Sequence, residues 1–187
     1  MASNAGSIGM KRGNRLRVAI WGIAGALLLL PLVAMQFTSE VVWGPEDFLV
    51  MGAMLGIACG AYELVVRLSD SRIYRAGFGL AILGCFLLVW INLAVGIIGS
   101  EDNPANQMYL AVLGIVIVGA MAVRARAIGM MWVTALAALA QLAIGIIALA
   151  GNLGADGLGW PRDVIGCTGI FVMLWFGSAA LFRLAAK

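Results

Sequence analysis

The sequence lacks histidine and contains few cysteines, prolines and charged residues. Its 187 residues include no histidine, three cysteines and four prolines, and only 11% are charged. The absence of imidazole excludes a histidine-held haem, His-ligated zinc and a histidine general base. The spacing of Cys59, Cys85 and Cys167 matches no metal motif, and these residues are interpreted as small buried side chains. The sequence therefore predicts no metal site and no cofactor, and it favours a protein that is not an enzyme.

Apolar residues make up 63% of the chain. A soluble domain is about half apolar and about a quarter charged, so no soluble fold would cover this much apolar surface and lipid must be the solvent. A hydrocarbon core of about 30 Å needs about 20 apolar residues per helix. Six stretches meet or approach this length and predict an all-α integral membrane protein, with helices at residues 18–37, 47–66, 77–98, 108–123, 130–150 and 164–182.

The charges separate between alternate connections of the six predicted helices. Eleven of the twelve Lys and Arg lie near the termini or near the second and fourth connections, whereas seven of the nine Asp and Glu lie near the first, third and fifth. Connections rich in Lys and Arg stay in the cytoplasm. The pattern predicts a six-helix transmembrane bundle in the bacterial inner (plasma) membrane, built from three antiparallel hairpins, with both termini cytoplasmic.

The chain is expected to have a short tail and one domain. Residues 1–17 are predicted to form a basic, partly disordered cytoplasmic tail, and residues 18–187 a single transmembrane domain. No continuous basic and aromatic surface exists outside the predicted helices, which argues against a nucleic-acid partner. The expected partners are the lipid bilayer, whose anionic leaflet would face the basic connections, and either further copies of the chain or a larger membrane complex.

The acidic connections carry the first group of candidate site residues. Oxygen ligands are what hard cations need, so one hypothesis is a cation site or an access point for protons. The alternative is capping, in which Asn103 is the N-cap before Pro104 and the acids suit the positive end of the helix dipole. The residues concerned are Glu46, Asp47, Glu101, Asp102, Asn103 and Asp163.

Glu63 is the only acidic residue clearly within a predicted helix, and Arg67 follows it by four residues. This order suits an ion pair on a helix surface. A carboxylate inside a membrane is costly and is therefore a functional candidate, so one hypothesis makes Glu63 and Arg67 an inner gate for a proton or a solute. The alternative is a structural pair near the headgroups, with Arg67 reaching water.

Two further groups lie within the predicted helices. Five polar or indole side chains from three helices predict either a small pocket or interhelical hydrogen bonds that hold the helices together; they are Trp90, Asn92, Gln141, Thr168 and Trp175. Glycines four residues apart form a smooth stripe that permits close helix approach, namely Gly52, Gly56 and Gly60. The stripe predicts close packing, either within the chain or against another subunit.

Two segments resemble known proteins. Residues 88–106, LVWINLAVGIIGSEDNPAN, and the turn at residues 43–48, WGPEDF, resemble a group of small multipass inner-membrane proteins of bacteria to which no activity is assigned. The resemblance implies location and architecture, and it adds no catalytic residue. Trp90, Asn92 and Gly96 are also similar to the two-helix SPW-repeat membrane proteins, although the defining Ser-Pro-Trp is missing here.

The function expected from the sequence is that of a non-catalytic accessory or structural subunit of a membrane assembly. The predicted connections are short, no Walker A, G-x-S-x-G or H-E-x-x-H sequence occurs, and few polar groups lie within the helices. The alternative is a small transporter or channel for an ion or small solute with an acidic outer mouth. Its path would run from the outer acids past Asn92 and Gln141 toward Glu63.

Overall fold

The computed structural model describes residues 3–39 and 41–187, and this part of the chain contains helices and no strand. Six helical segments are long and apolar enough to cross a membrane, which confirms the prediction of an all-α multipass membrane protein. Three residues lie outside the described part of the chain: Met1, Ala2 and Glu40. Glu40 is one of the seven acidic residues that the sequence places near the first, third and fifth connections. The helices are α1 (Ser3–Ala34), α2 (Pro45–Leu68), α3 (Arg72–Ala94), α4 (Tyr109–Ala122), α5 (Ala127–Ala150) and α6 (Arg162–Ala185).

Three helix boundaries differ by four or more residues from those predicted, namely the starts of α1 and α3 and the end of α3. The backbone of α1 is already helical at Ser3, within the tail that the sequence predicts to be partly disordered. Helix α3 ends at Ala94 instead of residue 98, because Gly96 adopts a φ of 71° that a right-handed helix does not contain. A 3-10 helix at Pro104–Met108 then leads directly into α4 and completes the fourth membrane-spanning segment.

The chain divides into two compact units, and the division falls within α2. Unit 1 ends at Leu64 and unit 2 comprises Val65–Lys187. In unit 1, Leu28 of α1 lies over Gly52 of α2, 3.8 Å from the place of a Cβ atom on the glycine. From Arg17 onward, most large apolar side chains of α1 are exposed, which suits a helix in contact with lipid. The single transmembrane domain over residues 18–187 stays a prediction.

In unit 2, helix α6 packs against both α3 and α5, and α4 packs against α5. Gly77 of α3 lies against Phe182, whereas Gly84, seven residues later in α3, lies against Trp175, seven residues earlier in α6. The two helices are therefore antiparallel. Helices α3 and α4 make little contact although one loop joins them, so the predicted arrangement of three packed hairpins is not confirmed.

Unit 2 has a basic end and an acidic end. The basic end holds the α2–α3 and α4–α5 connections, which are joined where the Tyr74 hydroxyl donates to the Ala125 carbonyl over 2.7 Å. The acidic end holds the α3–α4 and α5–α6 connections, which are joined where the Asn103 amide donates to the Leu153 carbonyl over 2.7 Å. Side chains thus fix the connections at each end of the helices to one another.

Candidate functional site

Four buried polar side chains in unit 2 form the strongest candidate site, here named the polar column: Tyr109, Gln141, Thr168 and Trp175. Gln141 and Trp175 are completely buried, and Tyr109 and Thr168 are 2% and 8% exposed. Inside a bilayer, buried polar groups find hydrogen-bond partners within the protein or line a cavity. The partners of these four side chains therefore decide what they do.

Helix α6 supplies Thr168 and Trp175 from one buried face. The seven residues between them are two helical turns, about 10 Å along the axis. On α5, a Cβ atom at Gly145 would lie 2.5 Å from the Thr168 hydroxyl. On α3, a Cβ atom at Gly84 would lie 2.8 Å from the six-membered ring of Trp175. Glycines on the two neighbouring helices therefore make room for both side chains.

Gln141 and Tyr109 approach the same region from α5 and α4. Gln141 belongs to the buried face of α5 and precedes Gly145 by one turn, which places it one turn from the Thr168 contact. Tyr109 is the first residue of α4, and its hydroxyl lies close to Thr168 without the geometry of a hydrogen bond. All four helices α3 to α6 therefore contribute to the site or to its walls.

Polar atoms of the column have no hydrogen-bond partner in the described chain. They are the Tyr109 and Thr168 hydroxyls, the Trp175 Nε1, and both the Nε2 and Oε1 atoms of Gln141. An unsatisfied buried polar group costs about 1–3 kcal/mol. Because this cost arises at atoms from three helices, a partner from outside the chain is one way to offset it.

Other buried polar side chains of unit 2 are satisfied within the protein. The Ser178 hydroxyl donates to the Gly77 carbonyl over 2.8 Å, and the Thr134 hydroxyl donates to the Met130 carbonyl over 2.9 Å. Both residues are completely buried and both lie on helices that also contribute to the column. Among the described residues, buried polar atoms without a partner are therefore concentrated in the polar column, and the Oδ1 of Asn92 is the further one.

The two remaining members of the predicted polar set, Trp90 and Asn92, are half-buried on α3. The Nδ2 of Asn92 donates to the Leu88 carbonyl over 2.7 Å, one turn earlier in the same helix. Its Oδ1 is buried and accepts no hydrogen bond from any described residue. Trp90 stacks on Phe86, with ring centroids 6.1 Å apart. Asn92 thus leaves one buried acceptor without a partner among the described residues, whereas Trp90 packs against Phe86 of its own helix.

An aromatic cluster lies between the polar column and the basic end of unit 2. Phe182 follows Trp175 by two turns of α6 and is completely buried. Its ring centroid lies 4.9 Å from that of Phe78 and 5.8 Å from that of Tyr74. Edge-to-face packing of this kind is favourable for aromatic pairs. The three rings form an apolar layer on this side of the column.

The loop between α3 and α4 packs into the core at the acidic end. Ile97 and Ile98 are buried in the same apolar core as Tyr109, and their backbone N–H groups donate to the Asn106 Oδ1 over 3.1 and 2.9 Å. The Nδ2 of Asn106 donates to the Ser100 carbonyl over 2.7 Å. One buried amide therefore holds the loop in place and positions two isoleucines as a second apolar layer.

In unit 2, the acidic candidates occupy helix starts and an exposed loop. Glu101 and Asp102 are exposed, and Asp163 is exposed in the first turn of α6. The Asn103 Oδ1 accepts from the Ala105 N–H over 2.9 Å, which confirms Asn103 as an N-cap. A helix start of this kind favours nearby negative charge without any ligand. A cation-binding role for these residues stays a prediction.

In unit 1, the acidic candidates also lie at a helix start. The Asp47 carboxylate accepts from the Gly44 N–H over 2.8 Å, and the Glu46 carboxylate lies against the same glycine. Both residues are in the first turn of α2. Among all described residues, no group of three His, Cys, Asp or Glu side chains is arranged to hold a metal ion. Helix capping accounts for the position of Asp47.

Glu63 makes a contact that the sequence does not predict. Its carboxylate forms an ion pair with Arg17 of α1, and it accepts a hydrogen bond from the Trp21 Nε1 over 3.4 Å. The Glu63 side chain is 14% exposed and that of Arg17 is 53% exposed. Glu63 therefore links the two helices of unit 1, and the gate role proposed for it with Arg67 stays a prediction.

The glycine stripe of α2 is only partly covered within unit 1. Gly52 is approached by Leu28, but at Gly56 and Gly60 no described atom of the unit lies within 4 Å of the place of a Cβ atom. Helix α1 therefore does not pack closely on Gly56 or Gly60. In unit 2, close packing on glycine occurs at Gly84 and Gly145, which have no four-residue glycine spacing, whereas close packing on the α2 stripe stays a prediction.

Sequence reasoning misses two residues of the site region, Tyr109 and Asn106. An aromatic residue near a predicted helix end is typical of the membrane interface, but Tyr109 is buried on the same face of α4 as Val112 and Val116. Val112 and Val116 follow Tyr109 by three and seven residues, and this helical spacing is the signal that identifies the buried face of α4. No pattern marks Asn106, because its partners depend on the fold of the loop.

No protein-family model, curated protein or solved structure matches the chain. The resemblance to small inner-membrane proteins of bacteria accordingly stays a prediction. What the candidate site does must be inferred from its own geometry and chemistry.

Proposed function

We propose that the protein is a small-solute transporter or channel of the bacterial inner membrane and that the polar column is its solute site. The observation that carries the proposal is the set of buried polar atoms in Tyr109, Gln141, Thr168 and Trp175 for which the described chain provides no hydrogen-bond partner. A solute with hydrogen-bonding groups would offset the cost of burying these atoms.

The depth of the column supports this proposal. Gln141 lies nine residues before the end of α5, about 14 Å from the acidic end, and Trp175 lies thirteen residues after the start of α6, about 20 Å from it. Solute sites of transporters lie near the bilayer midplane. A site at this depth, between apolar layers on both sides, suits a carrier in which one layer opens at a time.

The alternative explanation for the polar set is that it joins the helices by hydrogen bonds. Such bonds contribute about 0.5–2 kcal/mol each in membrane proteins, and they require the side chains to bond to one another or to neighbouring backbone. The Ser178 hydroxyl makes such a bond from α6 to α3. The Tyr109 and Thr168 hydroxyls lie beside each other, but Gln141 and Trp175 make no such bond within the described chain, and these two side chains favour a ligand over helix association.

The charge distribution supports an orientation for this transporter. In unit 2 the exposed Arg72, Arg124, Arg126 and Arg183 lie at the basic end, and such connections remain cytoplasmic. We infer that both termini are cytoplasmic and that the acidic end faces the periplasm. The loop held by Asn106 would then be the outer closure, and the cluster around Phe182 the inner one.

A pair of identical substitutions tests the proposal, because Thr168 lies in the column and Thr134 does not. The protein is reconstituted into vesicles, and re-swelling after an osmotic shock is followed by light scattering with urea, glycerol, guanidinium or nitrate as the permeant. We expect at least one solute to enter faster than in protein-free vesicles. Thr168→Val should slow this entry roughly threefold to tenfold, the effect of one lost hydrogen bond.

Thr134→Val is the control, since its hydroxyl bonds to its own helix at Met130. It should transport like the unaltered protein. Equal rates for the Thr168 variant and the control would show that the column is not the path, and the absence of solute entry in folded, reconstituted protein would contradict the transport function.

A second candidate function is that of a non-catalytic subunit of a membrane assembly, for which unit 1 supplies the supporting observation. Gly56 and Gly60 form a smooth stripe on α2 that no described part of unit 1 covers closely. Stripes of this kind are sites of close helix association in membranes. The two functions are compatible, because the stripe and the polar column lie in different units.

A further inference from the structure

The polar column offers a defined set of donors and acceptors. Trp175 Nε1 is a donor only, and the Gln141 amide supplies two N–H donors and one carbonyl acceptor. The Tyr109 and Thr168 hydroxyls each donate or accept. A complementary ligand therefore carries both acceptors and donors on one small framework.

The column contains no formal charge. Its four side chains are neutral amide, indole, phenol and hydroxyl groups, and the buried residues packed around them are apolar. Asp163 is the charged residue of α6 nearest to the column in sequence, five residues before Thr168, and it is exposed at the acidic end. An ion at the level of Gln141 would lose its hydration without gaining a counter-charge from the column, and burying an unpaired ion is far more costly than burying a neutral group.

The indole of Trp175 packs on Gly84, which fixes the position of its Nε1–H donor. The three ring atoms nearest to the place of a Gly84 Cβ, Cη2, Cζ3 and Cζ2, all belong to the six-membered ring. The five-membered ring carries Nε1, which makes no hydrogen bond within the described chain. Packing on Gly84 thus anchors the indole through its apolar part and leaves its polar group to a ligand.

We propose, on the basis of the transport function inferred above, that the polar column selects a small uncharged molecule bearing both hydrogen-bond donors and acceptors, of the urea, carboxamide or polyol class. Selection acts through charge, because a neutral solute exchanges water for the amide, indole and hydroxyl groups of the column. An ion of the same size meets no compensating charge there.

Urea, guanidinium and nitrate test this selectivity directly, because the three are planar, similar in size and differ in charge. Entry of each, and of glycerol as a polyol, is measured by light scattering in vesicles that contain the full-length protein. A protonophore is present so that charge movement does not limit the entry of the ions. We expect urea or glycerol to enter faster than in protein-free vesicles, with guanidinium and nitrate at the protein-free rate.

Two variants link the selectivity to the column. Trp175→Phe keeps an aromatic ring over Gly84 but removes the donor, and Gln141→Leu removes the amide. Each should slow neutral-solute entry roughly threefold to tenfold. Ser178→Ala is the control, because that hydroxyl is satisfied by the Gly77 carbonyl, and it should leave entry unchanged. Thermal unfolding of each variant in detergent identifies any that fails to fold, and solute entry is compared among folded variants.

The outcomes separate this inference from the proposed function. Entry of guanidinium or nitrate at a rate similar to that of urea would overturn the selectivity and leave transport standing. Entry of water without any tested solute would overturn both the selectivity and the solute-transport function, because the column would then serve water and not a larger solute. If no solute enters while the protein is folded, the transport function fails and the inference fails with it.

Discussion

Asn106 and Gln141 are both buried amides in unit 2, but their surroundings differ. Asn106 accepts from two backbone N–H groups and donates to the Ser100 carbonyl, so its amide is engaged by the loop it holds. Neither polar atom of Gln141 has a partner within the described residues. The same functional group therefore stabilises a loop at one position and is a ligand-binding candidate at the other.

Replacing Asn106 by leucine should destabilise unit 2 strongly. Asn106→Leu removes the acceptor shared by the Ile97 and Ile98 N–H groups, and two buried donors without partners would cost about 3 kcal/mol. The matched control is Gln107→Leu, the same change of amide to apolar side chain at the exposed neighbouring residue. Thermal unfolding in detergent should show a clearly lower midpoint for the Asn106 variant. Equal midpoints would contradict the role of Asn106 in holding the loop.

Helix α6 is the element on which the candidate site depends. It packs against α3 and α5, and one face carries Thr168, Trp175 and, two turns further, Phe182. The seven-residue spacing places the polar groups of the column and the basic-end aromatic layer in one row. A small rotation of α6 would therefore move both together, and under the proposed transport function this would couple solute binding to opening.

Glycines on α2 and α3 should respond oppositely to the same substitution. Gly84→Leu places a side chain where the Trp175 ring already lies, and overpacking costs about 1–3 kcal/mol or more. Gly56→Leu adds a side chain where no described atom of unit 1 lies within 4 Å. We expect the first variant to unfold at a lower temperature and the second to fold normally. If the stripe binds another subunit, Gly56→Leu should also dissociate the assembly in native mass spectrometry.

Opposite results would revise both assignments. Loss of the folded monomer in Gly56→Leu would mean that the stripe packs within the chain, and unchanged stability of Gly84→Leu would mean that the indole is not held against α3.

For the molecule as a whole, apolar length predicts the membrane-spanning segments before any packing is considered. Apolar length is a sum over local sequence, and each of the six segments appears where the sequence predicts it, with changes at the ends. Packing between the helices is a separate matter. Helix α3 packs mainly against α6, which is far from it in the sequence, and only slightly against α4, which follows it directly.

The orientation is tested by labelling single cysteines in cells. The three native cysteines are free and are replaced first. Ser100 at the acidic end and Ala186 at the C-terminus are exposed and uncharged, so Ser100→Cys and Ala186→Cys leave the charge pattern unchanged. A membrane-impermeant maleimide should label the Ser100 variant in spheroplasts and the Ala186 variant only after lysis. The reverse pattern would contradict cytoplasmic termini and place the acidic end inside.

The sequence by itself determined that lipid surrounds the helices, and it determined the fold class and most helix boundaries of this protein. These properties depend on apolar length and on local turn residues such as Asn103 and Pro104, which act within a few positions of one another. It also identified Gln141, Thr168 and Trp175 as polar residues inside helices, because a polar residue in an apolar stretch is conspicuous. It did not indicate whether they would bond to one another.

Only the tertiary structure decided how those residues are surrounded. The burial of Tyr109, the loop held by Asn106 and the pairing of Glu63 with Arg17 each depend on contacts between separate segments. In lipid, apolar side chains gain little from leaving the solvent, so helices associate through close fit at small residues such as Gly84 and Gly145. That fit depends on the shapes of two helix surfaces together, and the hydropathy of a single segment does not predict it.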